Sequence, residues 1–309
     1  MAIIRNLASM MLKGKIGDTT YYVAESRQLA RQALNNSNYG ATASRTDVQQ
    51  ARRVKWANLV NFYSGNKAWM KKAYENLPAG VSIFNRFMQL NIGSADVALT
   101  RQEAQAKAWV PASYRLTQGS LTPMVTSFQG EMPKTTMRGE LAITAQTTVA
   151  QFSSALIAEN TEFRAGDAIV FVAFSGVSAN PGPQNALSPA TYVYEELLLD
   201  TEDTSMMQVK YPNFNVDEGF LFNERGDGAV GAIFIHTRKS AGKLFVSTQK
   251  LVLNDLLQEE LTEWRSSAQM AKAIASYGES TNVPLAPGGA VSGGSGNDSS
   301  TGGGSGSLE

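Results

Sequence analysis

The chain has 309 residues, 43% of them apolar, enough to build a sizeable core and to fill two domains of ordinary size. It contains no cysteine, which excludes disulfides, thiolate nucleophiles and cysteine metal sites. The formal net charge is zero, yet residues 1–110 carry 15 Lys+Arg against 6 Asp+Glu and residues 111–309 carry 12 against 21, a split of +9 and −9 that points to an acidic partner for the first part.

The start, "MAIIRNLASMMLKGKIGD", is too polar for a secretory signal, and no stretch approaches the roughly 20 apolar residues of a membrane span. A cytoplasmic or virion location is therefore expected, with no membrane partner. "GKIGDTTYYVAESRQLARQAL" puts Gly14 and Gly17 at turn positions and follows them with the β-prone run "TTYYV", so a hairpin or small sheet is predicted. "NNSNYGATAS", 35–44, reads as a loop.

Thr46 and Gln49 form a capping-box pattern at the start of a helix that the periodicity carries to about Tyr63. Its apolar stripe is Trp56, Leu59, Val60 and Tyr63, which places Trp56 in the core. "SGN", 64–66, should break it. A second helix follows, with Trp69, Met70, Ala73, Tyr74 and Leu77 on one face and Lys67, Lys71 and Lys72 turned away, and it stops at "LPAG". A third begins near Ser82 with Ile83, Phe84, Phe87 and Met88 as its apolar positions.

Beyond "WVPASYRLTQGSLTP" the pattern becomes β-rich, with strands expected at 140–144, 168–174, 192–199, 208–211, 231–238 and 243–253. One helix interrupts them over 149–159, capped by Thr148 with Gln151 three residues on. "GAIFIHTRKSAGKLFVSTQKLVL" reads as a hairpin turning at Ser240 to Gly242. Asp255 opens a last helix of about 22 residues with Leu257, Leu261, Trp264, Ala268 and Ala271 as its stripe, ending near Gly278.

The fold class that follows is α+β. An N-terminal hairpin and small helical module (1–110) precede an antiparallel β-sandwich-like domain (111–254), a C-terminal helix (255–278) and a disordered Gly/Ser tail (279–309).

"RRVKWANLVNFYSGNKAWMKKAYENLPAGVSIFNRFMQLN", with an "N-x-F-x-x-x-N" end at Asn85, Phe87 and Asn91, resembles the helical segment of an uncharacterised protein family of Bacteroidetes and their phages or mobile elements. "ENTEFRAGDAIVFVAF" and the hairpin above are similar to that family's β part. The resemblance implies a phage or mobile-element setting and assigns no chemistry to any residue.

The residues themselves support no catalytic constellation. His236 is the only histidine and lies in a predicted strand, where a structural role is the common one. The carboxylates of "EELLLDTED" and "NVDEGFLFNERGDG" lack calcium-loop spacing and read as solvated acidic loops. "GVSANPGPQNALSP" and "GDGAVG" lack the spacing of a phosphate-binding loop. No cofactor is expected.

What stands out is the basic set Arg45, Arg52, Arg53, Lys55, Lys67, Lys71 and Lys72, since a surface that tracks phosphates or an acidic protein needs several cations together. The expected function is a non-enzymatic structural or assembly protein, its basic helical module engaging a neighbouring copy, another structural protein or DNA. The alternatives are an architectural DNA-binding protein and a β-sandwich module recognising a glycan or peptide through exposed aromatics such as Tyr192 or Phe214.

Overall fold

The computed structural model describes residues 14–16, 19–24, 27–32, 47–175, 190–257 and 259–277. β1 (Gly14–Ile16), β2 (Thr19–Ala24) and β3 (Arg27–Gln32) form an antiparallel three-stranded meander in which "TTYYVA" is the central strand. Gly14 opens β1 itself, so it is a strand residue rather than a turn residue. The loop at 35–44 and the cap at Thr46 lie outside the described residues.

α1 (Asp47–Met70) corrects the prediction of two helices, because it runs unbroken through "SGN". Asn66 stays helical since its side chain is satisfied within the helix: Nδ2 donates to the Phe62 carbonyl at 2.9 Å and Oδ1 accepts from Trp69 Nε1 at 3.0 Å. Gly65 is there for space, as a Cβ would sit 2.5 Å from Nε1 of the buried Trp109. Alanine normally gains about 1 kcal/mol over glycine inside a helix. Here Gly65→Ala is expected to lower the thermal midpoint instead, with a net loss of about 1–2 kcal/mol from overpacking against the indole.

The predicted second helix dissolves into the end of α1 and a run of turns after Met70, where Asn76 takes a left-handed conformation (φ 49°). α2 (Ile83–Asn91) begins as expected, with the Ser82 hydroxyl accepting from Asn85 N–H, and α3 (Arg101–Gln105) carries a full capping box between Thr100 and Glu103.

The β part contains two further antiparallel sheets. β4 (Thr126–Gln129) and β5 (Met132–Arg138) are followed by α4 (Val149–Glu159), which has the capping box Thr148–Gln151 that its sequence announces. Then come β6 (Asp167–Phe174), β7 (Tyr192–Leu198), the one-turn α5 (Met207–Lys210), β8 (Phe214–Asp217), β9 (Phe220–Asn223), β10 (Gly231–Ser240), β11 (Lys243–Val246) and β12 (Val252–Leu253). The central sheet has the order β11-β10-β6-β7, with β12 also pairing β10, and the outer sheet is β4-β5-β9-β8.

Two strand predictions fail, and a third, 243–253, is broken into β11 and β12 by residues 247–251. Residues 140–144 pair with no strand, Glu140 N–H going to the Glu159 carboxylate and Thr144 closing a turn with Thr147. Within 208–211, Met207–Lys210 is helical and Tyr211 N–H closes the turn on the Met207 carbonyl.

All eight residues of β6 are buried, because both faces of the central sheet are covered. Val170, Val172, Phe174, Ile233 and Ile235 meet the helices through Leu59, Phe62, Met70 and Phe87. Ile169, Phe171, Ala173, Ala232 and Phe234 meet α4 and the outer sheet through Phe152, Leu156, Phe214 and Leu221. The layers therefore run helices, central sheet, outer sheet. A boundary at residue 110 passes through the first of these cores, since Trp109, Val110, Ala112 and Tyr114 all belong to it.

The last helix is two: α6 (Glu259–Arg265) and α7 (Ser267–Ser276). Ser266 divides them, its hydroxyl donating to the Glu263 carbonyl at 2.7 Å while accepting from Gln269 N–H at 3.0 Å as the cap of α7. Ala268 and Ala271 are exposed, and the buried positions of α7 are Gln269 and Ala273, with Ala273 against Val54 of α1 and Tyr277. Gly278 and the Gly/Ser tail lie outside the described residues. Among the described residues no helix is long and apolar enough to cross a membrane.

Candidate functional site

Of the basic set, Arg45 lies outside the described residues. Arg52, Arg53 and Lys67 are exposed on α1, Lys55 is half-buried, and Lys71 and Lys72 are exposed in the turn after it. At 3.6 residues per turn, Arg52, Arg53, Trp56 and Lys67 share one sector about 100° wide and span about 22 Å, whereas Lys55 falls on a flank.

Trp56 corrects the core assignment, because it is 44% exposed and stands on the same side of the helix as the arginines. Trp69 is half-buried. Among the described residues Arg52, Lys55, Lys67, Lys71 and Lys72 make no ion pair. Arg53 does interact within the chain. Burial raises the Tyr277 phenol, and the charges of Arg53 and Arg101 offset part of that rise.

Half of the carboxylates among the described residues lie on the opposite side. Residues 47–72, α1 and the start of the turn after it, hold six cations and one carboxylate, a net charge of +5. Segments 126–166 and 200–228, which build the outer layer, hold five cations and eleven carboxylates, a net charge of −6. The two predicted acidic loops are largely strand: Glu195 and Glu196 are in β7, and "NVDEGFLFN" is the β8–β9 hairpin. Some of their charge is spoken for. Lys134, itself buried, bonds Asp217 at 2.6 Å, Lys210 pairs with Asp203, and Glu195 accepts from Asn213 (2.6 Å), Asn223 (2.8 Å) and Arg225 (3.4 Å). Arg225 is thus tied to β7.

His236 is part of a buried cluster that sequence reasoning missed. Its Nε2 lies 2.8 Å from Asp167 Oδ2, both side chains being 1% exposed. Asp167 is an obligate acceptor, so Nε2 is the donor. Arg238 forks the same carboxylate, Nε to Oδ1 and NH2 to Oδ2 at 2.7 Å each, Arg164 N–H adds 2.9 Å, and Phe163 covers the imidazole at 4.1 Å. The available signal was positional: an Asp opening one strand and His-x-Arg late in its antiparallel neighbour place Arg238 directly opposite Asp167. The cluster ties β6 to β10 inside the protein.

Two hollows open on the helical side of the central sheet. One, of about 400 Å³, lies between α1 and the start of β7, bordered by Asn61, Lys107, Trp109 and Tyr192. The other is a crevice of about 30 Å³ with Trp69 and Lys72 on one side and Val170, Tyr194, Glu196 and Ile235 on the other. Of the aromatics named for ligand recognition, Phe214 is 2% exposed and belongs to the core, and Tyr192 is half-buried. Residues 176–189, the whole of "GVSANPGPQNALSP", are outside the described residues. Among the described residues no three His, Asp or Glu side chains are grouped to hold a metal ion. No family model, curated protein or solved structure matches the chain.

Proposed function

We propose that this is a non-enzymatic assembly protein that associates head to tail, the basic outer face of α1 docking on the acidic outer layer of a neighbouring copy. The observation that carries the reading is the placement of charge: +5 on α1 with the turn after it and −6 on the outer layer, with the central sheet between them. Opposite charges on opposite sides cannot neutralise one another within a single chain. Between copies they make a heterologous contact, which closes into a ring or continues as a filament according to its rotation. Complementarity of this kind sets on-rate and register, and salt screens it. A phage particle or mobile-element product, the setting that the family resemblance implies, is where such repetition would be used.

Sedimentation velocity of the full chain across a salt series tests the reading. Association that weakens as salt rises is expected, and the quadruple variant Arg52→Gln, Lys67→Gln, Lys71→Gln, Lys72→Gln should show no salt-dependent association, with an unchanged circular dichroism spectrum. A wild-type chain that shows no salt-dependent association overturns it.

A second reading has one observation of its own. The exposed Trp56 beside Arg52 and Arg53 offers a π-face next to cations, the pairing that single-stranded nucleic acid uses. Under that reading a labelled oligonucleotide binds at low salt, and Trp56→Ala weakens it by about 1–3 kcal/mol. Under the assembly reading the oligonucleotide is ignored.

A further inference from the structure

The two edges of the central sheet are treated differently. Beside β11, Leu121 N–H donates to the Val246 carbonyl at 3.1 Å, and Gly119 packs so closely that a Cβ would lie 2.2 Å from the same oxygen. That edge is covered. β7 is the other edge, and among the described residues no strand pairs along its outer side.

The direction of its backbone groups follows from the bonds at its two ends. Leu199 N–H donates to the Asp167 carbonyl, and Ser175 N–H donates to the Thr191 carbonyl, so odd-numbered residues of this strand face β6. The N–H and C=O groups of Tyr192, Tyr194 and Glu196 therefore point outward. Leu198 N–H also points outward but is already taken by the Tyr211 hydroxyl at 3.3 Å, which closes the edge at that end. The strand holds no proline or lysine, two devices that commonly guard an edge, and Tyr194 and Leu198 are 37% and 38% exposed.

We infer that β7 is a self-pairing edge: two copies align β7 antiparallel about a two-fold axis at Tyr194, joining their central sheets into one. This register satisfies the whole set, with Tyr194 exchanging both bonds with Tyr194 of the second copy and Tyr192 exchanging both with Glu196. Charge also permits this register and disfavours any shift toward the C-terminal end of the strand. Each Glu196 stands opposite a tyrosine and each Glu195 opposite Val193, whereas a shift of one residue in axis position to Glu195, or of two to Glu196, sets like charges face to face, which destabilises a cross-strand pair. Glu195 is further held on its own chain by Asn213, Asn223 and Arg225. Three paired residues are short of the roughly 1,200 Å² that marks a stable interface, so the dimer is concentration-dependent and a covalent trap is the suitable readout.

A chain without cysteine gives that trap a clean background. Two Tyr194→Cys residues on the axis would have Cα atoms about 5.5 Å apart, inside the disulfide range of roughly 4.4–6.8 Å. Mild oxidation of the full-length Tyr194→Cys variant is expected to give a disulfide dimer several-fold faster than Gln102→Cys, an exposed position on α3. Glu196→Cys should not join to itself, since the two copies of that residue would lie roughly 14 Å apart along the strands. It should join to Tyr192→Cys when the two variants are mixed.

Backbone pairing is little affected by ionic strength, so the yield should persist at high salt. The charge-driven contact proposed above is lost there, and the two ideas can therefore fail separately. The self-pairing edge is overturned if Tyr194→Cys oxidises no faster than Gln102→Cys, or if Glu196→Cys joins to itself as readily as Tyr194→Cys does. Circular dichroism of each variant before oxidation establishes that it is folded.

Discussion

Asp167→Ala is expected to lose about 3–5 kcal/mol of unfolding free energy, the scale on which removing one partner of a buried ion pair acts. Urea denaturation would read it. The size comes from what is left behind. Arg238 Nε and NH2 and His236 Nε2 all aim at the vacated carboxylate, and His236 Nδ1 already has no partner, so the variant would hold a guanidinium and an imidazole without an acceptor between β6 and β10. Asp167→Asn keeps the volume and one acceptor oxygen, and should lose less. Exposed carboxylates such as Glu202 serve as controls, with changes within about 0.5 kcal/mol.

The same residue makes stability depend on pH. Burial by itself would raise the Asp167 carboxyl, but the Arg238 fork, the His236 hydrogen bond and the Arg164 N–H together bring it down to about 2 from an ordinary 3.8. A carboxyl lowered in the folded state stabilises the protein above its unfolded value and ceases to do so as pH falls through its folded value. The contribution, about 2 kcal/mol, is thus complete above roughly pH 5, mostly lost by about pH 2 and gone near pH 1. In Asp167→Ala that part of the acid dependence should be missing.

Strand β6 and the β10–β11 hairpin were legible because their apolar runs and turn residues agree with one another. So was α4, because Thr148 and Gln151 form the cap that their spacing announces. The outer sheet was not. Its strands are four to seven residues long, and β5 contains Pro133 and a lysine, Lys134, that is buried only because Asp217 and Glu218 receive it from the β8–β9 hairpin, a contact more than 80 residues away in sequence.

α1 failed in a more instructive way. Its buried face is carried by Gln50, Val54, Asn58, Leu59, Asn61, Phe62, Asn66 and Met70, so four of eight inward positions look polar. Apolar periodicity chose Trp56, Leu59, Val60 and Tyr63, a stripe centred roughly a third of a turn from the true face and sharing only Leu59 with it. That rotation put Trp56 in the core on paper and hid the one exposed tryptophan of the basic surface. The cationic residues were found by type alone, but that their face lies across the central sheet from the acidic layer required the fold.

Those asparagines set the second large effect. Asn58→Ala is expected to cost about 3–5 kcal/mol by thermal or urea unfolding, more than most truncations of an apolar neighbour of similar size, because each buried group left unsatisfied costs about 1–3 kcal/mol. Asn58 Nδ2 donates to the Val110 carbonyl at 3.0 Å and to the Tyr114 hydroxyl at 2.7 Å, while Oδ1 accepts from Val110 N–H at 2.8 Å. It stands in for a strand partner, giving the extended segment at Val110 the pair of backbone bonds that no sheet supplies there. Asn58→Leu matches the volume and hydrophobicity of the surrounding core and should still fail to rescue, since it leaves both Val110 groups without partners. Tyr114→Phe removes only one acceptor and should cost about 1 kcal/mol. If leucine proves as stable as asparagine, the polar face of α1 is incidental to holding the helices on the sheet; if it does not, the asparagines fix the face of α1 that packs inward, and with it the side on which Arg52, Trp56 and Lys67 are displayed.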